Sequence, residues 1–273
     1  MIPAAFDYEV AGSAEEAVEL LGSREDAKLL AGGHSLLPLM RLRFARPALL
    51  VDVGGIEELR YVRDAGDRLA IGALSRHHDL ETDPLLQEHC PLVSYAASLI
   101  GDPQVRHRGT IGGSISHGDP ASDLPTVLLA LDAEIVVRGP EGVRTLAADG
   151  FCTGVFDTVL GRQDVVTEIR VPKLGETGWS YLKFTRRAQD WATVGVAAVV
   201  NGGARIALTS MGPIPVHARA AEEAFASGGA EAAAAVADEG SDPQTDTAAT
   251  ADFRRHLARV LTRRALAEAI SRR

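Results

Sequence analysis

The stretch that decides the fold of the first part of the chain is residues 29–53, LLAGGHSLLPLMRLRFARPALLVDV. An apolar run stops at Gly32 and Gly33, a segment with Pro38 in its first turn follows, and the chain then becomes apolar and β-branched again. Proline is tolerated in the first turn of a helix, and short apolar runs bounded by turn residues are typical of buried strands. The stretch therefore predicts a strand, a glycine-rich turn, a short helix and a second strand.

The flanking residues extend this unit and then change its pattern. FDYEV (6–10) predicts a further strand, and SAEEAVELL (13–21) predicts a helix that begins with a capping box. Residues 61–74 predict two antiparallel strands around an Ala-Gly-Asp turn. Residues 101–125 are rich in Gly, Ser, Asp and Pro, which argues against regular structure. So long a loop inside a compact domain is uncommon unless it is functional.

A candidate domain boundary lies in the polar segment KLGETG, residues 173–178. Three apolar segments beyond it predict strands, and residues 252–270 predict a helix with one apolar face. We therefore expect two domains, residues 1–175 and residues 176–273.

Composition excludes several classes of protein. The net charge of −9 over 273 residues argues against a nucleic-acid partner, because such proteins carry a basic face. Cys90 and Cys152 are the two cysteines, far apart and outside any C-x-x-C pattern, so neither a disulfide framework nor a metal site is predicted. The apolar runs are shorter than the roughly 20 residues of a membrane span, and the N-terminus lacks a secretory signal, so we expect a cytoplasmic protein.

Two glycine loops are the candidate binding segments. In AGGHS, from Ala31 to Ser35, consecutive backbone N–H groups and a serine hydroxyl could satisfy a diphosphate, and glycines would let it approach closely. The loop is neither a Walker A sequence nor a G-x-G-x-x-G turn, and alone it would indicate only a turn. The second loop, in RGTIGGSISHGDPASDLP (108–125), repeats the chemistry with hydroxyls, a glycine pair and an acidic residue that could accept from ribose or ribityl hydroxyls. Two separated donor-rich loops suit a dinucleotide.

Three segments together resemble a known family: AGGHSLLPLMRLR (31–43), RHRGTIGGSISHGDPASDLP (106–125) and RRAQDWATVGVAA (186–198). They are similar to the FAD-binding medium subunits of the molybdenum hydroxylases, such as bacterial carbon monoxide dehydrogenase, nicotine dehydrogenase and xanthine dehydrogenase. DFRRHLARVLTRRAL (252–266) resembles the last helix of that family, so the likeness spans the chain.

The resemblance implies an α+β fold. Its FAD-binding domain would be of the PCMH, vanillyl-alcohol-oxidase-like type, with two α/β subdomains at about residues 1–55 and 56–175. A smaller C-terminal domain of three strands plus helices, of the CO dehydrogenase flavoprotein type, would follow. The FAD would be noncovalent, because no His or Cys matches a position of covalent attachment.

The resemblance also implies which residues bind FAD. They are Ala31, Gly32, Gly33, His34, Ser35, Leu36, Thr110, Gly112, Gly113, Ser114, Asp123, Lys183 and Trp191. Trp191 would suit a shield over the isoalloxazine, with an ordinary core tryptophan as the alternative. Lys183 stands where some members contact the flavin. No residue is predicted to be catalytic or to bind a metal, and the histidines are expected at the surface or at helix caps.

The implied function is electron transfer within a complex. A small subunit with 2Fe-2S clusters would reduce the FAD, the flavin would reduce an external acceptor, and substrate would react at the molybdenum cofactor of a large subunit. The expected assembly is a dimer of heterotrimers. The alternatives are a stand-alone PCMH-type flavin oxidase or dehydrogenase and a nucleotide-binding module without redox activity.

Overall fold

The computed structural model describes residues 2–273, and its first layer is a small parallel sheet. Its elements are β1 (Asp7–Val10), α1 (Ala14–Ser23), β2 (Ala27–Leu30), α2 (Leu36–Leu42) and β3 (Leu49–Asp52). Strand β3 lies between β1 and β2, which explains its apolar sequence, since Leu49, Leu50 and Val51 are buried. The order of elements predicted from residues 29–53 is confirmed.

The second layer is a five-stranded antiparallel sheet with helices. Its elements, which follow a 3₁₀ turn at Glu57–Leu59, are β4 (Val62–Asp64), β5 (Arg68–Gly72), α3 (His77–Thr82), α4 (Pro84–His89), α5 (Pro91–Ser98), α6 (Pro103–Arg106), α7 (Ile111–His117), α8 (Asp123–Ala130), β6 (Glu134–Gly139), β7 (Gly142–Ala147), β8 (Cys152–Gly154), β9 (Asp157–Thr158) and β10 (Val165–Pro172). The strand order is β4-β5-β10-β6-β7, and β8 pairs with β9. The hairpin predicted within residues 61–74 is formed by β4 and β5.

Residues 101–125 are more regular than the sequence predicts, because they contain α6 and α7 and begin α8. Thr110 caps the N-terminus of α7, because its side chain accepts a hydrogen bond from the Gly113 N–H at 3.1 Å. Ile111 and Ile115 are buried on the same helix. A cap and two buried isoleucines together outweigh the roughly 1 kcal/mol that each glycine costs in a helix, so the expectation of an irregular loop was wrong.

The C-terminal part has its own sheet. Its elements are β11 (Gly178–Phe184), β12 (Val194–Asn201), β13 (Gly203–Thr209), β14 (Val216–His217), α9 (Arg219–Ala235) and α10 (Ala251–Ser271). The strands are antiparallel in the order β11-β12-β13-β14. The sheet thus contains the three predicted strands and a fourth strand of two residues, which pairs with β13. Helix α10 packs across β11 and β12 and buries Leu257, Leu261 and Ala265. Phe253 and Ile270, which the helical spacing within residues 252–270 places near the same face, are exposed at the two ends of the helix.

The change of sheet between β10 and β11 supports our proposal of a domain boundary near residue 175. The two parts are nevertheless packed together, because α8 also contacts β12 and β13 and is buried along its whole length. Over the part of the chain that is described, no helix combines the length and the apolar character needed to cross a bilayer.

Candidate functional site

The first loop, which we define as residues 31–36, connects β2 to α2. The N–H groups of five consecutive residues, Gly32 to Leu36, have no backbone acceptor within residues 2–273. Gly33 has φ +76°, a conformation that favours glycine and turns the chain sharply. Ser35 precedes α2, and its hydroxyl makes no capping hydrogen bond. The loop thus presents a row of donors and a hydroxyl, which is the arrangement that binds an anion such as a diphosphate.

The side chains of the first loop differ in exposure. Ala31 is half-buried and packs against the core of the N-terminal sheet. Leu36 is half-buried at the start of α2, whereas His34 is exposed. The loop is therefore anchored at its two ends and open at its centre.

The second loop, the name we keep for residues 108–114, comprises the turn before α7 and the first residues of that helix, and it uses most of its backbone donors inside the protein. The Gly112 N–H donates to the Ala73 carbonyl at 2.9 Å, and the Ser114 N–H donates to the Thr110 carbonyl at 3.0 Å. A Cβ on Gly112 would lie 2.7 Å from the Ala73 Cβ, so packing against the turn after β5 already explains this glycine. What the second loop can offer a ligand is hydroxyl groups, from Thr110, which is buried, and Ser114, which is half-buried.

The structure brings the two loops into contact. A Cβ on Gly32 would lie only 2.2 Å from the Arg108 carbonyl oxygen and 2.8 Å from the Gly109 Cα. The absence of a side chain at Gly32 therefore lets one backbone rest directly on the other. The free N–H groups of the first loop therefore begin next to the residues that lead into α7.

His77 packs against the second loop at Gly109. The sequence did not identify it as a buried residue. Its ring packs against Gly109, where an added Cβ would lie 2.8 Å from the His77 Cδ2, and the side chain is 5% exposed. Burial lowers the pKa of His77 to about 4, with smaller contributions from His34 and Arg106. The expectation of a surface or helix-capping histidine was wrong here, because His77 is buried and the N-cap of α3 is Arg76. Nothing in the local pattern RHHDL separates His77 from its half-buried neighbour His78.

The buried neutral His77 predicts an acid-sensitive loop contact. Between its usual pKa of 6.5 and the folded value of about 4, the unfolded chain binds more protons than the folded chain. The contribution of neutral His77 to the unfolding free energy is therefore complete above pH 6.5 and declines as the pH falls towards 4. Between about pH 7.5 and about pH 5 we expect a loss of roughly 2 kcal/mol of unfolding free energy from this group. Urea unfolding of the wild type and of His77→Gln at both pH values checks this, and an equal pH dependence in the two proteins would contradict it.

Asp123 and Lys183 lie in a buried polar cluster between the domains. The Tyr181 hydroxyl donates to one carboxylate oxygen of Asp123 at 2.5 Å, and the Lys183 ammonium donates to the other at 2.9 Å. Lys183 also donates to the Leu99 carbonyl at 3.1 Å. Burial raises the pKa of Asp123, while Lys183 and Tyr181 act in the opposite direction. Each carboxylate oxygen has one donor, so Asp123 joins α8 to β11, and its role as an acceptor for a ligand hydroxyl stays a prediction.

Tyr181 is the member of this cluster that sequence reasoning missed. The side chain is fully buried in β11, and a buried tyrosine in a strand is ordinarily part of the core. Its role depends on Asp123, which is 58 residues away in the chain. Burial raises the pKa of Tyr181 well above its usual value, so it acts only as a donor to the carboxylate.

Trp191 lies outside the core, with 61% of its surface exposed. It belongs to the connection between β11 and β12, and the neighbouring Ala192 carbonyl accepts from the Ser210 hydroxyl at 2.7 Å. The Ser210 N–H donates in turn to the carbonyl of Pro120, which follows α7. The alternative of an ordinary core tryptophan is therefore wrong. An exposed indole held near the chain that leaves α7 is suited to cover a bound aromatic group.

Comparisons with known proteins identify the family of the chain. Residues 4–174 match the family model of the FAD binding domain in molybdopterin dehydrogenase. Residues 179–269 match the model of the CO dehydrogenase flavoprotein C-terminal domain. The two models together cover nearly the whole chain.

Individual relatives match along their full length. The chain is 44% identical to the carbon monoxide dehydrogenase medium chain of Hydrogenophaga pseudoflava, over 100% of this chain and 99% of the relative. It is 37% identical to the 6-hydroxypseudooxynicotine dehydrogenase complex subunit alpha of Paenarthrobacter nicotinovorans, over 100% of this chain and 97% of the relative. A solved structure of carbon monoxide dehydrogenase from Hydrogenophaga pseudoflava superimposes with a TM-score of 0.96 at 46% identity, covering 100% of this chain and 99% of that one. The chain therefore belongs to the FAD-binding medium subunits of the carbon monoxide dehydrogenase and xanthine dehydrogenase family.

Proposed function

We propose that the chain is the FAD-carrying electron-transfer subunit of a molybdenum-dependent dehydrogenase. It would stand between the 2Fe-2S clusters of a small subunit and an external electron acceptor, while substrate is oxidised on a large molybdenum subunit. The observation that carries the proposal is the row of N–H groups from Gly32 to Leu36, which lies directly against the second loop. When bound, FAD can accept and release electrons singly or in pairs.

The residues of the two loops fit this group. The free N–H groups of the first loop and the Ser35 hydroxyl would hold the diphosphate, whose charge they can satisfy without a lysine. The hydroxyls of Thr110 and Ser114 would hold the nucleotide on the other side of the contact. Asp123 and Lys183 would act through the junction between the domains, because both are buried and paired with each other.

We propose that Trp191 covers the flavin. The chain has only two tryptophans, Trp179 and Trp191, so the variant Trp179→Phe leaves Trp191 as the sole indole. We expect FAD to quench most of the tryptophan fluorescence of this variant, because stacking brings the two aromatic systems into contact. Trp191→Ala, with Trp179 retained, is the control and should show much weaker quenching. Equal quenching in the two variants would contradict a stacking role.

The proposed partners are a small iron–sulfur subunit and a large molybdenum subunit, assembled as a dimer of heterotrimers. Support comes from the relatives, which are named as a medium chain and as a subunit of a dehydrogenase complex. The cytoplasmic location expected from the sequence remains a prediction.

The test is to purify the full chain through a small tag from the cells that make it and to analyse what it carries. We expect close to one FAD per chain, released by acid without covalent attachment, and molybdenum and iron on co-purifying polypeptides. A flavin reduced by an organic substrate in the chain alone would favour a stand-alone oxidase or dehydrogenase. A bound nucleotide that is not a flavin would favour a module without redox activity, and either result would overturn the proposal.

A further inference from the structure

Helix α2 and the residues after it leave most of their apolar side chains in contact with solvent. The helix contains five leucine and methionine side chains, of which one, Met40, is buried. Leu37 is 39% exposed, Leu42 is 54% exposed, and Phe44, just after the helix, is 80% exposed. We name residues 37–46 the α2 patch. Exposed apolar side chains that occur together in this way mark interaction sites, so the α2 patch is a surface that a partner can cover.

The backbone of the α2 patch is held in one conformation. Arg43 ends the helix with φ +63°, and its N–H donates to the Met40 carbonyl at 3.0 Å. The Phe44 N–H donates to the Leu39 carbonyl at 2.9 Å. Phe44 therefore stands on a fixed turn, and little ordering is needed when a partner binds. Aromatic and arginine side chains are the residue types that most often anchor protein interfaces.

The charge of the α2 patch is opposite to that of the whole chain. The patch contains three arginines and no acid, whereas the chain carries a net charge of −9. The three are Arg41, Arg43 and Arg46. All are exposed, and none forms an ion pair with an acid within residues 2–273. Unpaired guanidinium groups on the same segment as exposed apolar side chains favour a partner surface that is acidic around an apolar centre.

The α2 patch begins at the site proposed for FAD. Leu36, the first residue of α2, carries the last N–H of the row in the first loop, and Leu37 follows it. A Cβ on Gly33 would lie 2.9 Å from the Leu37 Cδ1, so the patch and the first loop are in contact. A partner seated on the patch would therefore lie beside the bound flavin nucleotide, which is where an electron donor to it has to be.

From these observations we propose that the α2 patch docks the cluster-carrying face of the small iron–sulfur subunit. Iron–sulfur clusters are held by cysteine thiolates, so the face around a cluster carries negative charge that the three arginines complement. Leu42 and Phe44 fill the apolar centre of the interface. This inference rests on the proposed function, which supplies the small subunit, and adds the surface that the subunit occupies.

The test places the photo-cross-linking residue p-benzoylphenylalanine at position 44 of the full chain, in the cells that make the complex. Illumination of the purified complex should join the chain to the polypeptide that holds the 2Fe-2S clusters. Position 270, where Ile270 is an exposed apolar side chain on α10, is the matched control and should give no such product. A product with the molybdenum polypeptide, with a second copy of the chain or with lipid would overturn the inference, and so would the absence of any product. Absence of FAD or iron from the unmodified complex would instead overturn the proposed function itself.

Variants of the tagged chain measure the strength of the contact. Phe44→Asp should lower the iron that co-purifies at least about tenfold and leave FAD per chain unchanged, because the interface would bury an unpaired carboxylate. Ile270→Asp is its control. Arg41→Gln should lower co-purifying iron about threefold at low salt and less at high salt, since salt screens exposed charges. Arg264→Gln, which changes an exposed arginine of α10 without an ion pair in residues 2–273, is the second control. Iron retention equal to that of the controls in both patch variants would exclude the α2 patch.

Discussion

Gly32→Ala is expected to abolish FAD binding, with a loss of affinity of at least about a hundredfold. The new Cβ would lie 2.2 Å from the Arg108 carbonyl oxygen, which is far inside van der Waals contact. Because the atom it meets belongs to the backbone, no side-chain rotation can relieve the overlap. The two loops must separate, and the N–H groups of the first loop then lose their position against the second. Overpacking of this kind also costs about 1–3 kcal/mol of unfolding free energy.

The matched control is Gly55→Ala. Gly55 lies in the turn after β3, close to the same subdomain core, and an added Cβ would find no atom within 4 Å. FAD titration and urea unfolding of both variants separate loss of the site from loss of the fold. If Gly32→Ala were to bind FAD within threefold of Gly55→Ala, in a protein of unchanged stability, the loop contact would not be part of the site.

Lys183→Met is expected to lower the unfolding free energy by about 3–5 kcal/mol. The Asp123 carboxylate would remain between the domains without its cation, and the Tyr181 hydroxyl would be its one remaining side-chain donor among residues 2–273. Removing one partner of a buried pair costs more than the pair contributes, because it leaves a desolvated charge. The double variant Lys183→Met with Asp123→Asn should therefore recover much of the loss.

The chain offers a surface pair for comparison. Lys173 and Asp64 are 2.7 Å apart, but 25% and 54% of their side chains are exposed. Lys173→Met should cost no more than about 1 kcal/mol, since solvent screens an exposed pair. Urea unfolding of the three variants gives the comparison. A loss in Lys183→Met no larger than that in Lys173→Met would mean that the buried pair does not hold the domains together.

The sequence was most informative where the determining contacts are local. The glycine turn of the first loop, the hairpin of β4 and β5 and the three long C-terminal strands follow from periodicity and turn residues within a few positions. The segment containing α7 was misread because its glycines suggested a loop. Its helix depends on contacts with Ala73, which lies 39 positions before Gly112 in the turn after β5.

The residues of the candidate site also fall into those that a local motif identifies and those that depend on distant contacts. The residues of the first loop could be found by motif, because a row of N–H groups is a property of one short segment. The role of His77 could not be found, since it depends on packing against Gly109 across a fold that local patterns do not define. Asp123 was recognised as a conspicuous acid, but its partners, Tyr181 and Lys183, come from the other domain.

The ion pair between α8 and β11 also limits how members of this family can be recombined. The two family models meet between residues 174 and 179, which would suggest a natural point for joining halves of different relatives. Asp123 lies in the first half, and Tyr181 and Lys183 lie in the second. A chimaera spliced at that point inherits its acid from one parent and its base and phenol from the other. It will fold well only when the two parents carry matching residues on both sides of the splice.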